Sequence, residues 1–289
     1  MKDRLIYLLK IIYGEIVKIL IDLTIIKPKK GVQEKMDNEE DVVVSLTSYG
    51  RRVEKVVYYT IVSLLRQTYK PNHVVLWLDH DNWSEGNIPK RLKKLERFGL
   101  EIRFCEDLKS YKKLLPSLEA FPQSIIITCD DDMYYSKNLV KILVTEYRKN
   151  PNRIYTLGGE VPTLGEDGHL LPFVEWPCPR TRREVTPFTP VGFCGILYKK
   201  ELLYKDITNY ELCSKLSPNA DDLWFYMMEV MAKTRCVLIK RMEPYPVDFI
   251  YQKIHATSLT ASNCGDNQND VQLKNIMDYY NLKPSDLKF

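Results

Sequence analysis

Apolar runs alternate with helical repeats along residues 41–160 of this chain. Short apolar runs predict strands, whereas apolar residues spaced three and four apart predict helices. The predicted strands are "DVVVSLTSY", "HVVLWLD", "LEIRFCED", "SIIIT" and "RIYTLGG". The helices predicted between them are "VEKVVYYTIVSLLRQT", "IPKRLKKLERFG", "SYKKLLPSLEAF" with a break near Pro116, and "KNLVKILVTEYRKN". This alternation predicts an α/β fold with βαβ units and a mainly parallel central sheet.

The second half of the chain is less regular. Six prolines fall between Glu160 and Pro190, and we expect this segment to be a long ordered loop over the ligand site. The segment "VGFCGILYKKELL" follows it, and the apolar spacing of "NADDLWFYMMEVMAKT" predicts a helix.

The first 30 residues predict an amphipathic helix that ends in a basic "KPKK". At 100° per residue its charged side chains share an arc of roughly 140°; they are Asp3, Arg4, Lys10, Glu15, Lys18 and Asp22. No apolar run reaches the roughly 18 residues of a spanning helix, and no signal-peptide cleavage pattern follows. Such a helix either lies on an anionic membrane surface or packs against its own domain or a second subunit. The polar residues 31–40 predict a linker to the domain of residues 41–289.

Composition limits the classes of function. The chain has 289 residues, of which 45% are hydrophobic, and a formal net charge of +4, which is too mildly basic to indicate nucleic-acid binding. Its seven cysteines include no CxxC pair, which argues against a zinc site and indicates a reducing, cytoplasmic compartment. The chain has no P-loop motif and no dinucleotide-binding glycine motif.

Three predicted strands end in polar clusters: "SLTSYGRR", "WLDHD" and "TCDDD". Ligands of parallel sheets bind at the carboxyl ends of strands, so we expect one site there. Asp130, Asp131 and Asp132 need compensation by water, basic side chains or a cation. Mg²⁺ and Mn²⁺ prefer carboxylate oxygens, and in an extended segment Asp130 and Asp132 would point the same way. A solvated turn that caps the next helix is the other interpretation.

Four motifs in this order carry a resemblance to a known family: "SLTSYGRR", "YKKLLPSLEAFPQSIIITCDDD", "VGFCGILY" and "NADDLWF". From about Val42 to about Trp224 the chain resembles GT-A-type nucleotide-sugar glycosyltransferases, in particular the bacterial family-2-like enzymes of surface-polysaccharide synthesis. The resemblance implies a Rossmann-like GT-A domain, with residues 41–159 binding the nucleotide sugar and residues 160–289 the acceptor.

The same resemblance implies an activity. The enzyme would use Mn²⁺ or Mg²⁺ to transfer a hexosyl or N-acetylhexosaminyl group, with inversion, from a nucleotide-sugar donor, with a UDP-sugar favoured. The implied acceptor is a hydroxyl of a growing, lipid-linked glycan at the inner face of the cell membrane. The implied partners are therefore the donor, the glycan, the anionic membrane surface and a possible second copy of the chain.

Donor-site residues are implied by matching motifs. The aspartates match the family's DxD motif, which assigns Asp132 to the metal, Asp130 to the metal or the ribose, and Asp131 to the donor site. The other matches assign to the nucleotide and its diphosphate Thr47, Ser48, Arg52, Asp79, Tyr111, Lys112 and Lys113. Lys112 and Lys113 fit a solvated helix face as well, and Asp79 fits a loop cap.

Further matches fall in the second half. "NADDLWF" matches the acidic pair of inverting enzymes, with Asp222 as general base and Asp221 beside it, although Asn219 and Asp222 also fit an N-capping box. His255 matches a third metal or diphosphate ligand, or is a structural histidine. Other candidates are Asn269 and Asp270 as site-lining residues, and for an anionic group Arg180, Arg182 and Arg183, which equally fit a solvated loop.

Two other classes of function are considered. A sugar-phosphate nucleotidyltransferase also places acids and a metal at strand ends, but it would carry a GxGxR turn where this chain has "TSYGRR". A non-catalytic sugar-binding protein of the same fold would be expected to lack the metal aspartates or the acidic pair, and this chain has both.

Overall fold

The computed structural model describes residues 2–35, 39–179, 188–239, 247–249 and 267–287. The chain divides into two compact units. The first comprises residues 1–108, 112–142 and 243–256, and the second comprises residues 109–111, 143–242 and 257–289.

Nine α-helices are present in the described part of the chain. In chain order, α1 to α9, they are Lys2–Asp22, Gly50–Lys55, Val57–Leu64, Lys90–Lys93, Leu115–Ala120, Leu139–Lys149, Tyr210–Leu216, Asp221–Met231 and Gln268–Tyr279. Short 3₁₀ turns include Glu96–Phe98, Lys109–Lys113 and Gly192–Cys194. The helix predicted after the first strand is two helices, α2 and α3, because the backbone of Val56 leaves the helical region.

The first unit contains four parallel strands. They are β1 Val42–Thr47, β2 His73–Asp79, β3 Leu100–Cys105 and β4 Ile125–Thr128. Strand β1 pairs with β2 and β4, and β2 pairs with β3, all in parallel. Strands β1, β2 and β4 are buried over nearly their whole length, as continuous Val, Ile and Leu runs require when helices cover both faces of a sheet. A two-stranded antiparallel ribbon joins β5, Met133–Tyr134, to β11, Val247–Asp248.

The second unit contains the remaining sheet strands. They are β6 Arg153–Thr156, β9 Ile196–Tyr198 and β10 Arg235–Leu238. Strand β6 is parallel to β10 and antiparallel to β9. A small ribbon pairs β7, Gly159–Glu160, with β8, Thr189–Pro190. A Cβ atom on Gly159 would lie 2.2 Å from the Thr189 carbonyl oxygen, so this pairing requires glycine.

The central sheet has seven strands and is mostly parallel. The five strands predicted for residues 41–160 are all present. The predicted fold class, an α/β domain with a mainly parallel sheet preceded by an N-terminal helix, is therefore confirmed.

Helix α1 packs on the first unit. The Tyr59 hydroxyl donates a hydrogen bond to Asp22 at 2.8 Å, and the Arg91 guanidinium lies 3.5 Å from the same carboxylate. In the segment after α1, the Gly31 amide donates to the Phe98 carbonyl oxygen at 2.8 Å. No helix among the described residues combines the length and the hydropathy that a bilayer crossing needs.

Candidate active site

The carboxyl ends of β1, β2 and β4 lie side by side in the first unit. Their parallel pairing places Thr47, Asp79 and Thr128 at the same edge of the sheet. The three polar clusters predicted to share one edge therefore do so.

The aspartate triplet follows β4 and turns sharply. Residues Asp131 and Asp132 form a turn before β5, and both are buried, at 5% and 9% exposure. The Ser48 hydroxyl donates to Asp131 at 2.5 Å, and one nitrogen of Arg52 contacts both Asp131 and Asp132. The segment is therefore a turn and not the extended segment that was expected, and it places Asp131 and Asp132 on one guanidinium group.

The remaining aspartate pairs with a second cation. The Lys113 ammonium lies 3.2 Å from the carboxylate of Asp130, and the Lys112 ammonium contacts Asp107. Both lysines are buried, at 1% and 4% exposure for Lys112 and Lys113. The alternative of a solvated helix face is therefore wrong. Of the three forms of compensation considered for the aspartates, the structure shows basic side chains.

Burial and pairing act in opposite directions on these groups. Burial alone would lower the pKa of the Arg52 guanidinium, but the charges of Asp131 and Asp132 outweigh it and raise that pKa. Burial also raises the pKa of Asp131, and the charge of Arg52 and the Ser48 hydrogen bond oppose that rise. The buried carboxylate therefore depends on Arg52 for its compensation.

Thr47 and Asp79 make local structural contacts. The Thr47 hydroxyl donates to the Trp77 carbonyl oxygen at 2.9 Å. The Asp79 carboxylate accepts from the Asn82 backbone and side-chain amides at 2.9 and 2.6 Å, which is the loop cap that the sequence also allowed. Their predicted contacts with a nucleotide stay predictions.

A divalent cation fits the donor chemistry of Asp130 and Asp132. Hard cations bind through one or two protein carboxylates and complete their shell with substrate phosphates and water. No group of three His, Cys, Asp or Glu side chains suited to a metal is found in the part of the chain that the structure describes. The predicted ligand His255 and the arginines Arg180, Arg182 and Arg183 lie outside the described residues.

In the second unit, Asp222 occupies the first turn of α8. The Gly192 amide donates to Asp222 Oδ2 at 2.8 Å, which orients the carboxylate. The predicted capping box is wrong, because the N-cap of α8 is Ala220 and no side chain caps it. Asp221, beside it, is 7% exposed.

Two glutamates near Asp222 were missed by the sequence analysis. Burial, followed by the charge of Asp222, raises the pKa of Glu160 to about 7. The same two causes raise the pKa of Glu229 well above its ordinary value, and neither of its carboxyl oxygens has a hydrogen-bond partner within the described structure. Glu229 follows Asp222 by seven residues in an apolar helix and so lies on the same face, a signal that the sequence does contain. No local sequence pattern identifies Glu160 as a candidate.

Three further candidates lie in the second unit with structural contacts. The Tyr111 hydroxyl donates to the Ser217 carbonyl oxygen at 2.5 Å, and its ring is fully buried. Asp270 accepts from the Phe173 amide at 2.8 Å, and Asn269 is 7% exposed. Their assignment to a ligand stays a prediction.

The comparisons with known proteins concern the fold. No protein-family model and no curated protein matches the chain. Among solved structures it is similar to the mannosyltransferase PcManGT from Pyrobaculum calidifontis in complex with GDP-Man and Mn²⁺, with a TM-score of 0.51 and 14% identity over 96% of this chain and 74% of that chain. A second similarity is to S. aureus TarS, with a TM-score of 0.49 and 13% identity over 84% of this chain and 72% of that chain. The first similarity, with the sheet described above, shows the GT-A type of Rossmann-like fold.

The Arg52 ion pairs generate a stability prediction. Arg52→Met should lower the free energy of unfolding by about 3–5 kcal/mol, because it leaves the buried Asp131 uncompensated. Arg51→Met, at the exposed neighbouring position, is the matched control and should change it by no more than about 0.5 kcal/mol. Adding Asp131→Asn to Arg52→Met should recover part of the loss. Equal urea midpoints for Arg52→Met and Arg51→Met would show that the pairs do not stabilise the fold.

Glu160 generates a pH prediction. Its pKa rises from 4.5 to about 7 in the folded protein, so its contribution to stability is full below pH 4.5 and is lost as the pH rises through about 7. Glu160→Gln removes this loss. Between pH 4.5 and 8 the free energy of unfolding of the variant, relative to that of the wild type, should therefore rise by about 1–2 kcal/mol, after allowance for the partial exposure of the side chain. Denaturant titrations at several pH values measure the gain.

Two variants control this measurement. Glu166→Gln, an exposed position of the same segment, should follow the wild-type pH profile. Asp222→Asn should lower the pH at which stability is lost, because it removes the negative charge next to Glu160. If the Glu160→Gln and wild-type profiles run parallel, Glu160 does not titrate as described.

Proposed function

We propose that this protein is a metal-dependent glycosyltransferase that moves a sugar from a nucleotide-sugar donor to a hydroxyl of a growing glycan. One observation carries the proposal. At the carboxyl edge of a GT-A sheet, Asp130 pairs with the buried Lys113, and Asp132 pairs with Arg52. Ligands of open α/β sheets bind at this edge.

The paired charges suit a ligand that brings both signs of charge. Asp130 and Asp132 would hold a divalent cation, and the released Lys113 would bind the oxygens of a nucleotide diphosphate, while Arg52 stays paired with Asp131 and offers its remaining N–H groups to the same oxygens. Every buried charge stays compensated in this exchange. A cation alone would leave Lys113 without an anion, and a nucleotide alone would draw Lys113 away from Asp130 and leave that carboxylate without a cation. We therefore expect the cation and the nucleotide to bind cooperatively.

In the proposed transfer step, Asp222 acts as the general base. When bound, the divalent cation stabilises negative charge on the departing nucleoside diphosphate. Asp222 accepts the proton of the acceptor hydroxyl as its oxygen bonds to the anomeric carbon and the bond to the diphosphate breaks. The Gly192 amide fixes the orientation of that carboxylate. A single displacement of this kind inverts the anomeric configuration.

The finer assignments rest on the resemblance to family-2-like enzymes. They are a UDP-sugar donor, transfer of a hexosyl or N-acetylhexosaminyl group, a lipid-linked acceptor of bacterial surface-polysaccharide synthesis, and a location at the inner face of the cell membrane. A screen of UDP-, GDP-, CMP- and dTDP-sugars with and without Mn²⁺ tests the donor class. Release of the nucleotide that carried the sugar supports a glycosyltransferase, whereas formation of a nucleotide sugar and pyrophosphate from a nucleoside triphosphate and a sugar phosphate would indicate a nucleotidyltransferase.

Asp132→Asn tests the metal assignment. Calorimetric titration of Mn²⁺ in the presence of UDP should show affinity about tenfold or more below that of the wild type. Wild-type affinity for Mn²⁺ should also be higher with UDP than without it, because the two ligands compensate opposite charges. Asp81→Asn, at an exposed aspartate after β2, is the matched control. Unchanged Mn²⁺ affinity in Asp132→Asn, or full activity in EDTA, would refute metal dependence at this residue.

Asp222→Asn tests the general base. Transfer should fall by about 10²–10⁴-fold, because proton removal is lost, while affinity for donor and Mn²⁺ stays at the wild-type value. Calorimetry gives the affinity, and product formation gives the rate. If both fall together, Asp222 is structural or a ligand. If neither falls, Asp221→Asn becomes the variant to measure.

A further inference from the structure

Helix α1 leaves part of its apolar surface exposed to solvent. Val17 and Ile21 are buried, at 2% and 3% exposure, while Lys18 and Asp22 contact residues of the first unit. An apolar stripe is left in solvent; it consists of Leu9, Ile12, Ile16, Ile19 and Leu23, which are 46–63% exposed. At 100° per residue these positions share an arc of about 80°. Contiguous exposed apolar residues of this kind indicate an interaction surface.

A basic cleft lies next to the stripe in the first unit. It has a volume of about 900 Å³, and five cationic residues line it: Lys29, Lys30, Arg66, Lys70 and Lys137. No aspartate or glutamate is among its lining residues within the described structure. Arg66 is held in place by a 2.6 Å hydrogen bond to the Lys27 carbonyl oxygen. Five cations that share a cleft without a carboxylate favour an anionic ligand.

The stripe and the cleft are continuous. Tyr13 of α1 is 47% exposed, and it also lines the cleft, whose other neutral side chains include Thr68, Ser136 and Asn138. Hydroxyl and amide groups of this kind, together with lysines and arginines, bind phosphate oxygens. One surface therefore offers an apolar contact and, beside it, a site for phosphate.

We propose that the apolar stripe and the basic cleft form a docking surface for an anionic phospholipid membrane, with a lipid phosphate in the cleft. Lipid bilayers place phosphate directly above hydrocarbon, which matches this arrangement. A second copy of the chain fits less well, because a two-fold interface through this surface would bring the two sets of cations together. The inference deepens the proposed function, on which it rests for the membrane location of the acceptor.

The test is flotation of the full-length protein with vesicles of phosphatidylcholine alone or with phosphatidylglycerol added, at low and high salt. Wild type should bind the anionic vesicles and lose affinity at high salt and on the neutral vesicles. Lys70→Gln/Lys137→Gln should bind about 25-fold more weakly, about fivefold for each charge removed. Ile12→Glu/Ile19→Glu should abolish binding, because it removes the apolar contact. All four positions are exposed, so the variants should fold, which thermal unfolding verifies.

The control variants make the same kinds of substitution at exposed positions outside the docking surface. Lys55→Gln/Lys94→Gln changes two exposed lysines of the first unit outside the cleft, and Val271→Glu changes an exposed apolar residue of α9. Both should bind as the wild type does. Because flotation requires neither donor nor turnover, failure of this inference is distinguishable from failure of the proposed enzymatic activity.

Two results would overturn the proposal. If the cleft variant and its control bind anionic vesicles equally, the cleft does not hold lipid phosphate. If wild type does not float, but sediments as a dimer that Ile12→Glu/Ile19→Glu dissociates, the stripe is a subunit interface.

Discussion

The first unit depends on the compensation of one buried carboxylate. Asp131 is buried in the turn that follows core strand β4, where an unpaired charge would cost several kcal/mol. Ser48 and Arg52 bind its side chain, and the Thr60 hydroxyl donates to its carbonyl oxygen at 2.7 Å. These contacts tie the turn after β1 and helices α2 and α3 to the end of β4. The middle residue of the aspartate triplet therefore holds this edge of the sheet together.

How much of this could be predicted depends on the range of the interaction. The apolar runs and their alternation specify the parallel sheet, and chain order places its polar ends at one edge. The ion pairs are different, because Arg52 precedes Asp131 by 79 residues and Lys113 precedes Asp130 by 17. Their meeting depends on strand register and on the turn at Asp131, which no local pattern encodes. The sequence therefore leaves water, basic side chains and a bound cation open as the compensation of the aspartates.

The two units neutralise their buried acids in different ways. Basic side chains compensate the aspartates of the first unit, whereas burial and the charge of Asp222 favour the protonated forms of Glu160 and Glu229 in the second. A protonated neighbour adds no negative charge beside Asp222. Spacing along α8 reveals Glu229 but not Glu160, because Glu160 belongs to a ribbon formed by residues distant in sequence.

Helix α1 shows what periodicity cannot decide. Its charged residues fall on one side whichever side packs against the protein, so the pattern alone leaves membrane binding and internal packing open. In the structure the Lys18 ammonium lies 5.5 Å from the ring centroid of Tyr59 and 5.9 Å from that of Phe249, while Asp22 accepts from Tyr59. Charged side chains can pack in this way because their stems are apolar and aromatic rings attract cations. Since the protein itself satisfies these charges, the side of the helix that is left exposed is apolar.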